Sequence, residues 1–253
     1  MTQVIAAPEE TRAKLSALRR VAIVPARNEE ACVAGVVREI RAFDPDMEIV
    51  VVDDGSGDRT AAVARAAGAR VVRLPFNLGI GGAVQTGFRY ALENGFQLAV
   101  RLDGDGQHDP RELPALLEPV LTGRADIAVG SRFTGTGEFR STFARRAGGR
   151  MLAWFVSLLV RQRVTDTTSG FRAMNRLGIA LFAADYPHDY PEVEATVMVV
   201  KNRLRLKEVR VTMREREHGR SSINALRSIY YVLKVTLALF VGIFRRGAVP
   251  LER

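Results

Sequence analysis

Asp103 and Asp105, one glycine apart in Asp103-Gly104-Asp105-Gly106-Gln107-His108, are the residues whose type and spacing speak most directly of chemistry. Two carboxylates so placed can bring oxygens to a single hard cation, and Gln107 can add an amide oxygen, a donor set suited to Mg2+ or Mn2+. Such an ion is shared with a substrate diphosphate, where it neutralises charge on a leaving group. Asp and Gly also make ordinary solvated turns. The chemical reading gains weight from a second acidic turn, Asp53-Asp54-Gly55-Ser56-Gly57-Asp58, earlier in the chain. Carboxylates at a strand tip can accept hydrogen bonds from a base or from ribose hydroxyls, while Ser56 or Asp58 can cap the helix that follows. His108 is open to three roles: a further ligand, a shaper of its loop, or a residue facing a sugar.

Other candidates bind anions. Asn77-Leu78-Gly79-Ile80-Gly81-Gly82 is a glycine-rich entry to a helix, able to approach a phosphate or sugar closely, with Gly79 at its turn. It has neither the G-x-G-x-x-G spacing of a dinucleotide fold nor the lysine of a P-loop, which argues against a dehydrogenase and a nucleoside triphosphatase. Arg132 follows an apolar run in Gly130-Ser131-Arg132-Phe133. Arg145 and Arg146 fall in a glycine-bearing stretch read here as a loop over the cleft. Guanidinium groups recognise phosphate by paired hydrogen bonds, so all three are candidates to hold an acceptor phosphate. Such an acceptor is already anionic and needs no strong general base. Glu192 and Glu194 keep a base-dependent alternative open, against their plainer reading as the acidic first turn of a helix.

These residues need a scaffold that gathers them. Short apolar runs alternate with helical periods, the pattern of a parallel sheet covered by helices. Strands are expected at residues 21–24, 48–52, 70–74, 98–102 and 127–130, with helices at 29–43, 60–67, 81–93 and 111–122. In such sheets ligands bind in the crevice beyond the carboxyl ends of the strands. Both acidic turns, and Pro25-Ala26-Arg27-Asn28-Glu29-Glu30, follow directly on expected strands.

Taken in order, P-A-R-N-E-E, V-V-D-D-G-S, N-L-G-I-G-G-A-V-Q-T-G, D-G-D-G-Q-H, G-S-R-F and D-T-T-S-G-F-R resemble glycosyltransferase family 2, in the branch of dolichyl- and polyprenyl-phosphate sugar synthases. The resemblance covers about residues 20–225. It implies a GT-A fold, Rossmann-like with helices on both faces, a nucleotide-sugar donor, UDP- or GDP-linked, a divalent cation, and inversion at the anomeric carbon. Carried over by position, Pro25, Ala26, Arg27, Glu29 and Asp54 would line the nucleoside pocket. Asp103, Asp105 and Gln107 would hold the metal, with Gly104 beside the donor. Arg214, Arg216, His218, Arg220 and Ser221 resemble the family's late phosphate loop, in which Arg216 and Arg220 would bind the donor diphosphate. Asp105 and Arg132 are the residues expected to carry catalysis.

Composition sets the outer limits. A chain of 253 residues, 47% apolar, can bury the core of one large α/β domain. Its net charge of +9 favours phosphate-rich partners: nucleotides, nucleic acid or an anionic membrane surface. No nucleic-acid-reading motif is present, so nucleic acid is not an expected partner. A single cysteine, Cys32, excludes an intramolecular disulfide, agrees with a reducing cytoplasm, and is read as a small buried residue of the first helix. Residues 1–19 are expected to be a flexible tail without a signal peptide, 20–225 the catalytic domain, and 226–253 a C-terminal helix at a membrane interface. No apolar run reaches the roughly 18 residues of a membrane span. The apolar stretches 151–160 and 229–244, the latter closed by Arg245 and Arg246, suit an interfacial helix, with a core or dimer contact as the alternative, a stronger one for 151–160. The expected location is therefore cytoplasmic, peripheral at the cytoplasmic face of the membrane. A separate small membrane protein and self-association into a homo-oligomer are compatible with that. Transfer to a small soluble acceptor, and a non-catalytic nucleotide-sugar-binding protein, are the alternative functions.

Overall fold

The computed structural model describes residues 9–133, 143–188 and 190–214, with residues 10, 12 and 143–150 described by backbone alone. Arg216, Arg220 and the expected C-terminal helix at 226–253 lie outside the described residues. Within the expected N-terminal tail, Glu9–Ser16 forms a helix, α1, seated by Leu15, which is buried.

The remaining elements alternate as the apolar pattern requires. β1 (Arg20–Ala26), α2 (Val33–Phe43), β2 (Glu48–Asp53), α3 (Thr60–Ala66), β3 (Arg70–Arg73), α4 (Gly79–Glu93) and β4 (Leu98–Arg101) come first. They are followed by α5 (Leu113–Leu121), β5 (Ile127–Ser131), α6 (Phe143–Val160), β6 (Arg172–Asn175), α7 (Arg176–Ala184), α8 (Pro191–Lys201) and β7 (Leu206–Arg210). They build one seven-stranded sheet in the order β3-β2-β1-β4-β6-β5-β7. All pairings are parallel except those of β6, which runs antiparallel to both β4 and β5. This is the mostly parallel, helix-covered sheet that the sequence pattern predicts.

Strand alternation divides the core between the two faces. Val21 and Ile23 of β1 join a cluster with Val84 and Phe88 of α4, Phe182 of α7 and Val193 of α8. Ala22 and Val24 join the opposite cluster, with Val33, Val37 and Ile40 of α2 and Leu113 and Leu117 of α5. Buried on both sides, the central strands read as continuous apolar runs.

Three expectations change. The first helix starts at Val33 rather than Glu29, because Asn28 takes a φ of 55° and the amides of Asn28 and Glu29 donate to the hydroxyls of Ser56 and Thr60, at 2.9 and 2.8 Å. Cys32 thus precedes the helix, and it is partly exposed. Arg145 and Arg146 belong to α6, not to a loop. The glycine pair at 148 and 149 costs about 1 kcal/mol per residue of helix propensity. Burial of Leu152, Val156 and Val160, four residues apart on one face, outweighs that cost.

Candidate active site at the carboxyl edge of the sheet

β1, β2 and β4 point their carboxyl ends to one edge, and the last residues of β1 bind both acidic turns directly. The Gly104 amide donates to the Pro25 carbonyl at 3.2 Å, and the Asp54 amide to the Ala26 carbonyl at 3.0 Å. Here the D-G-D spacing acquires a steric reason. A Cβ on Gly104 would lie 3.0 Å from the Ala26 Cβ and 3.1 Å from the Pro25 oxygen, so a side chain there would push the loop a few tenths of an ångström away from β1.

Within that loop, Asp105 is buried and accepts the Gln107 amide at 3.0 Å through Oδ1. Asp103 keeps a third of its side chain exposed. Its amide donates to Nδ1 of His108 at 2.9 Å, and the His108 ring stacks on Phe171 with centroids 4.9 Å apart. An accepting Nδ1 carries no proton, which agrees with burial holding the imidazole pKa below its ordinary value. Of the three roles open to His108, the geometry supports shaping the loop. Among the described residues no group of three or more His, Cys, Asp or Glu is arranged to hold a metal. Two carboxylates and an amide oxygen, completed by oxygens of a diphosphate, nevertheless form a hard donor set of the kind Mg2+ and Mn2+ accept.

The second acidic turn divides its labour. Asp53 is fully buried, accepts the Ser56 amide at 3.1 Å and lies 3.3 Å from Nε of Arg73, so it holds its own turn. Asp54 accepts the Leu78 amide at 2.7 Å and so ties the turn to the glycine-rich entry of α4. Gly79 follows there with a φ of 82°. An open pocket of about 330 Å³, lined by Leu78, Gly82, Gln85, Thr86, Arg89 and His188, adjoins this junction. Pro25 and Ala26 are buried strand residues, Glu29 is half-buried and Arg27 is exposed.

Arg132 sits at the end of β5, gripped by Asp166 through two bonds of 2.8 and 2.9 Å and by the Thr168 hydroxyl at 2.6 Å. Burial opposes its charge, but the hydrogen bonds and charge of Asp166 prevail and raise its pKa. Asp166 is held below the usual carboxylate range despite its own burial, by the same partner. For Arg145 and Arg146 only the backbone is described. Arg214 donates to Asp109 at 2.9 Å and to Glu39 at 2.8 Å, while its amide donates to the Gln107 carbonyl at 2.9 Å. The chain after β7 is thereby fastened alongside the D-G-D-G-Q-H loop.

Sequence reasoning missed what lies beneath the loop. Arg101, the last residue of β4, donates to Asp103 at 3.3 Å, to Glu192 at 3.0 Å and to the Tyr186 hydroxyl at 3.1 Å. Glu192 does lie in the acidic first turn of a helix, α8, but its carboxylate reaches back into the site. A basic residue at the end of an otherwise apolar strand was the available signal for Arg101; nothing local marked Glu192 or Tyr186 as its partners.

Comparison with known proteins follows the same outline. The profile of glycosyl transferase family 2 matches residues 21–180. An undecaprenyl-phosphate mannosyltransferase of Micrococcus luteus is 34% identical, over 82% of this chain and 88% of its own. A UDP-N-acetylglucosamine–dolichyl-phosphate N-acetylglucosaminyltransferase of Methanococcus voltae is 30% identical, over 74% and 82%. In fold, the chain resembles glucosyl-3-phosphoglycerate synthase from Mycobacterium tuberculosis, solved with Mn2+, UDP and glucosyl-3-phosphoglycerate. The TM-score is 0.70 at 22% identity, over 96% of this chain and 87% of that one.

Proposed function

The chain belongs to glycosyltransferase family 2, and from that premise we propose that it moves a sugar from a UDP- or GDP-sugar to a polyprenyl or dolichyl phosphate, with inversion. The observation that carries the transfer chemistry is the Asp103–Asp105 loop, bonded to the end of β1 and buttressed by the His108–Phe171 stack. The lipid-phosphate acceptor draws its support from relatives that match most of both chains and whose names share that acceptor while differing in sugar.

In this reading Pro25, Ala26, Arg27, Glu29 and Asp54 form the nucleoside side of the cleft, with Gly79 and Gly104 leaving room for the donor. Asp103, Asp105 and Gln107 would hold Mg2+ or Mn2+, which supplies charge neutralisation on the departing nucleoside diphosphate. Arg216 and Arg220, which follow Arg214 in the sequence, act on the same diphosphate. Arg132, oriented by Asp166, receives the acceptor phosphate together with Arg145 and Arg146, and a phosphate oxygen attacks the anomeric carbon. The nucleophile is anionic at neutral pH, so no proton need be removed in the step. That agrees with Glu192, the candidate base of a hydroxyl-directed mechanism, being engaged by Arg101.

Among the described residues no helix is long and apolar enough to cross a membrane. Met151, Trp154 and Leu158 nonetheless form an exposed apolar stripe on α6, at 56, 67 and 63% exposure, followed by exposed Arg161 and Arg163. Such a face suits peripheral association with an anionic surface at the cytoplasmic side, where a lipid acceptor resides. Kinetics of Arg132→Ala test the acceptor assignment. The KM for polyprenyl phosphate rises by about 10-fold or more while the donor KM changes little; equal loss on both substrates would place Arg132 elsewhere.

A further inference from the structure

β4 and β6 bring Arg101 and Arg172 into register as direct cross-strand partners, and both are buried, at 1 and 0% exposure. Like charges placed opposite one another on a sheet destabilise it, and a buried guanidinium demands compensation. Compensation is incomplete: among the described residues Nε of Arg101 and Nη1 of Arg172 have no hydrogen-bond partner. An arrangement this unfavourable calls for a role beyond packing.

The two arginines are satisfied differently. Arg172 takes neutral oxygens: the Ser169 carbonyl at 3.2 Å, the Glu192 carbonyl at 2.6 Å and the Thr196 hydroxyl at 3.4 Å. Arg101 takes the carboxylates, and a single nitrogen, Nη2, reaches both Asp103 and Glu192. Glu192 is thus gripped twice, by its carbonyl and by its side chain, so the first turn of α8 is fastened to the sheet under the D-G-D loop.

We propose that Arg101 and Glu192 are positioning residues for Asp103: Glu192 shares the guanidinium, so that Arg101 pins one oxygen of Asp103 without neutralising the carboxylate. A guanidinium with Asp103 as its only carboxylate partner competes with a cation for that residue. Sharing it with a second carboxylate fixes the Asp103 rotamer and leaves the residue able to bind metal. The inference rests on the metal-binding role of Asp103 given above.

Mn2+ binding to the purified chain in the presence of UDP or GDP, followed by electron paramagnetic resonance below the melting temperature, tests it. Glu192→Gln keeps shape and removes the shared charge. Gly170→Ala removes no charge, but its Cβ would meet Nη2 of Arg101 at 2.8 Å and Cζ at 3.0 Å, displacing the guanidinium. Each folded variant weakens Mn2+ binding by roughly 10-fold, the scale on which groups orienting a metal ligand act. A shift of the melting temperature without change in Mn2+ affinity is what a purely structural role gives. Binding unchanged within about threefold, or tighter, in Glu192→Gln overturns the proposal, whatever Gly170→Ala does. If the parent binds no Mn2+ with either nucleotide, or Asp103→Asn binds it as the parent does, the metal reading falls and the inference with it.

Discussion

Four carboxylates crowd the edge formed by β1, β2 and β4, and their surroundings give them different work. Asp53 lies within its turn at 0% exposure, so Asp53→Ala leaves the Ser56 amide without its acceptor and lowers stability by about 1–3 kcal/mol, measured by urea unfolding. Asp105→Asn keeps the fold, by circular dichroism, and lowers kcat by about 100-fold or more; turnover restored without any divalent ion would remove the metal role. Away from the edge, Asp126 is held down to about 2, first by its hydrogen bond with Arg205. Its folded pKa is depressed, so its stabilisation is present above the ordinary value of 3.8 and is lost as the pH falls from there toward about 2. Acid titration of stability flattens across that window in Asp126→Asn; an unchanged profile would contradict the assignment. Asp103 and Asp105 could be read from sequence because their pairing is local. The pairing of Arg101 with Glu192 could not, because they stand 91 residues apart and meet only through strand register and helix docking.

The elements that gather these residues were legible where period and burial agree. β1 to β5 are apolar runs bounded by turn residues, and each falls within a few residues of its expected place. β6 escaped notice because it spans only four residues, begins with a buried arginine and is inserted antiparallel between β4 and β5. Its meaning lies in its neighbours, and in Phe171 just before it, which supports His108. α6 was half-read: its apolar portion was evident, but the preceding glycine pair suggested a loop. The same helix carries a prediction. Trp154→Ser with Leu158→Ser removes the centre of its exposed stripe and touches no core position, so retention on anionic phospholipid vesicles falls by about fivefold or more while the melting temperature holds. Undiminished retention would assign the stripe to another contact.

For the molecule as a whole, the net charge of +9 indicated phosphate-bearing partners without choosing among them. In the proposed reading the choice rests on the arrangement of the site together with relatives named for a lipid-phosphate acceptor. One edge of one sheet carries the acidic loop, with Arg132 held by Asp166 at the end of β5; in the proposed reading the first serves the donor and its metal, the second an anionic acceptor. Attack by a phosphate and attack by a hydroxyl give different products, so the product records which occurred. The most direct test supplies labelled UDP- and GDP-sugars and Mn2+ with either undecaprenyl phosphate or undecaprenol, and identifies the lipid product by mass spectrometry. Transfer to the phosphorylated lipid alone, giving sugar joined to lipid through a single phosphate, is the predicted result. Transfer to undecaprenol, or label confined to water-soluble products while undecaprenyl phosphate stays unmodified, would contradict it.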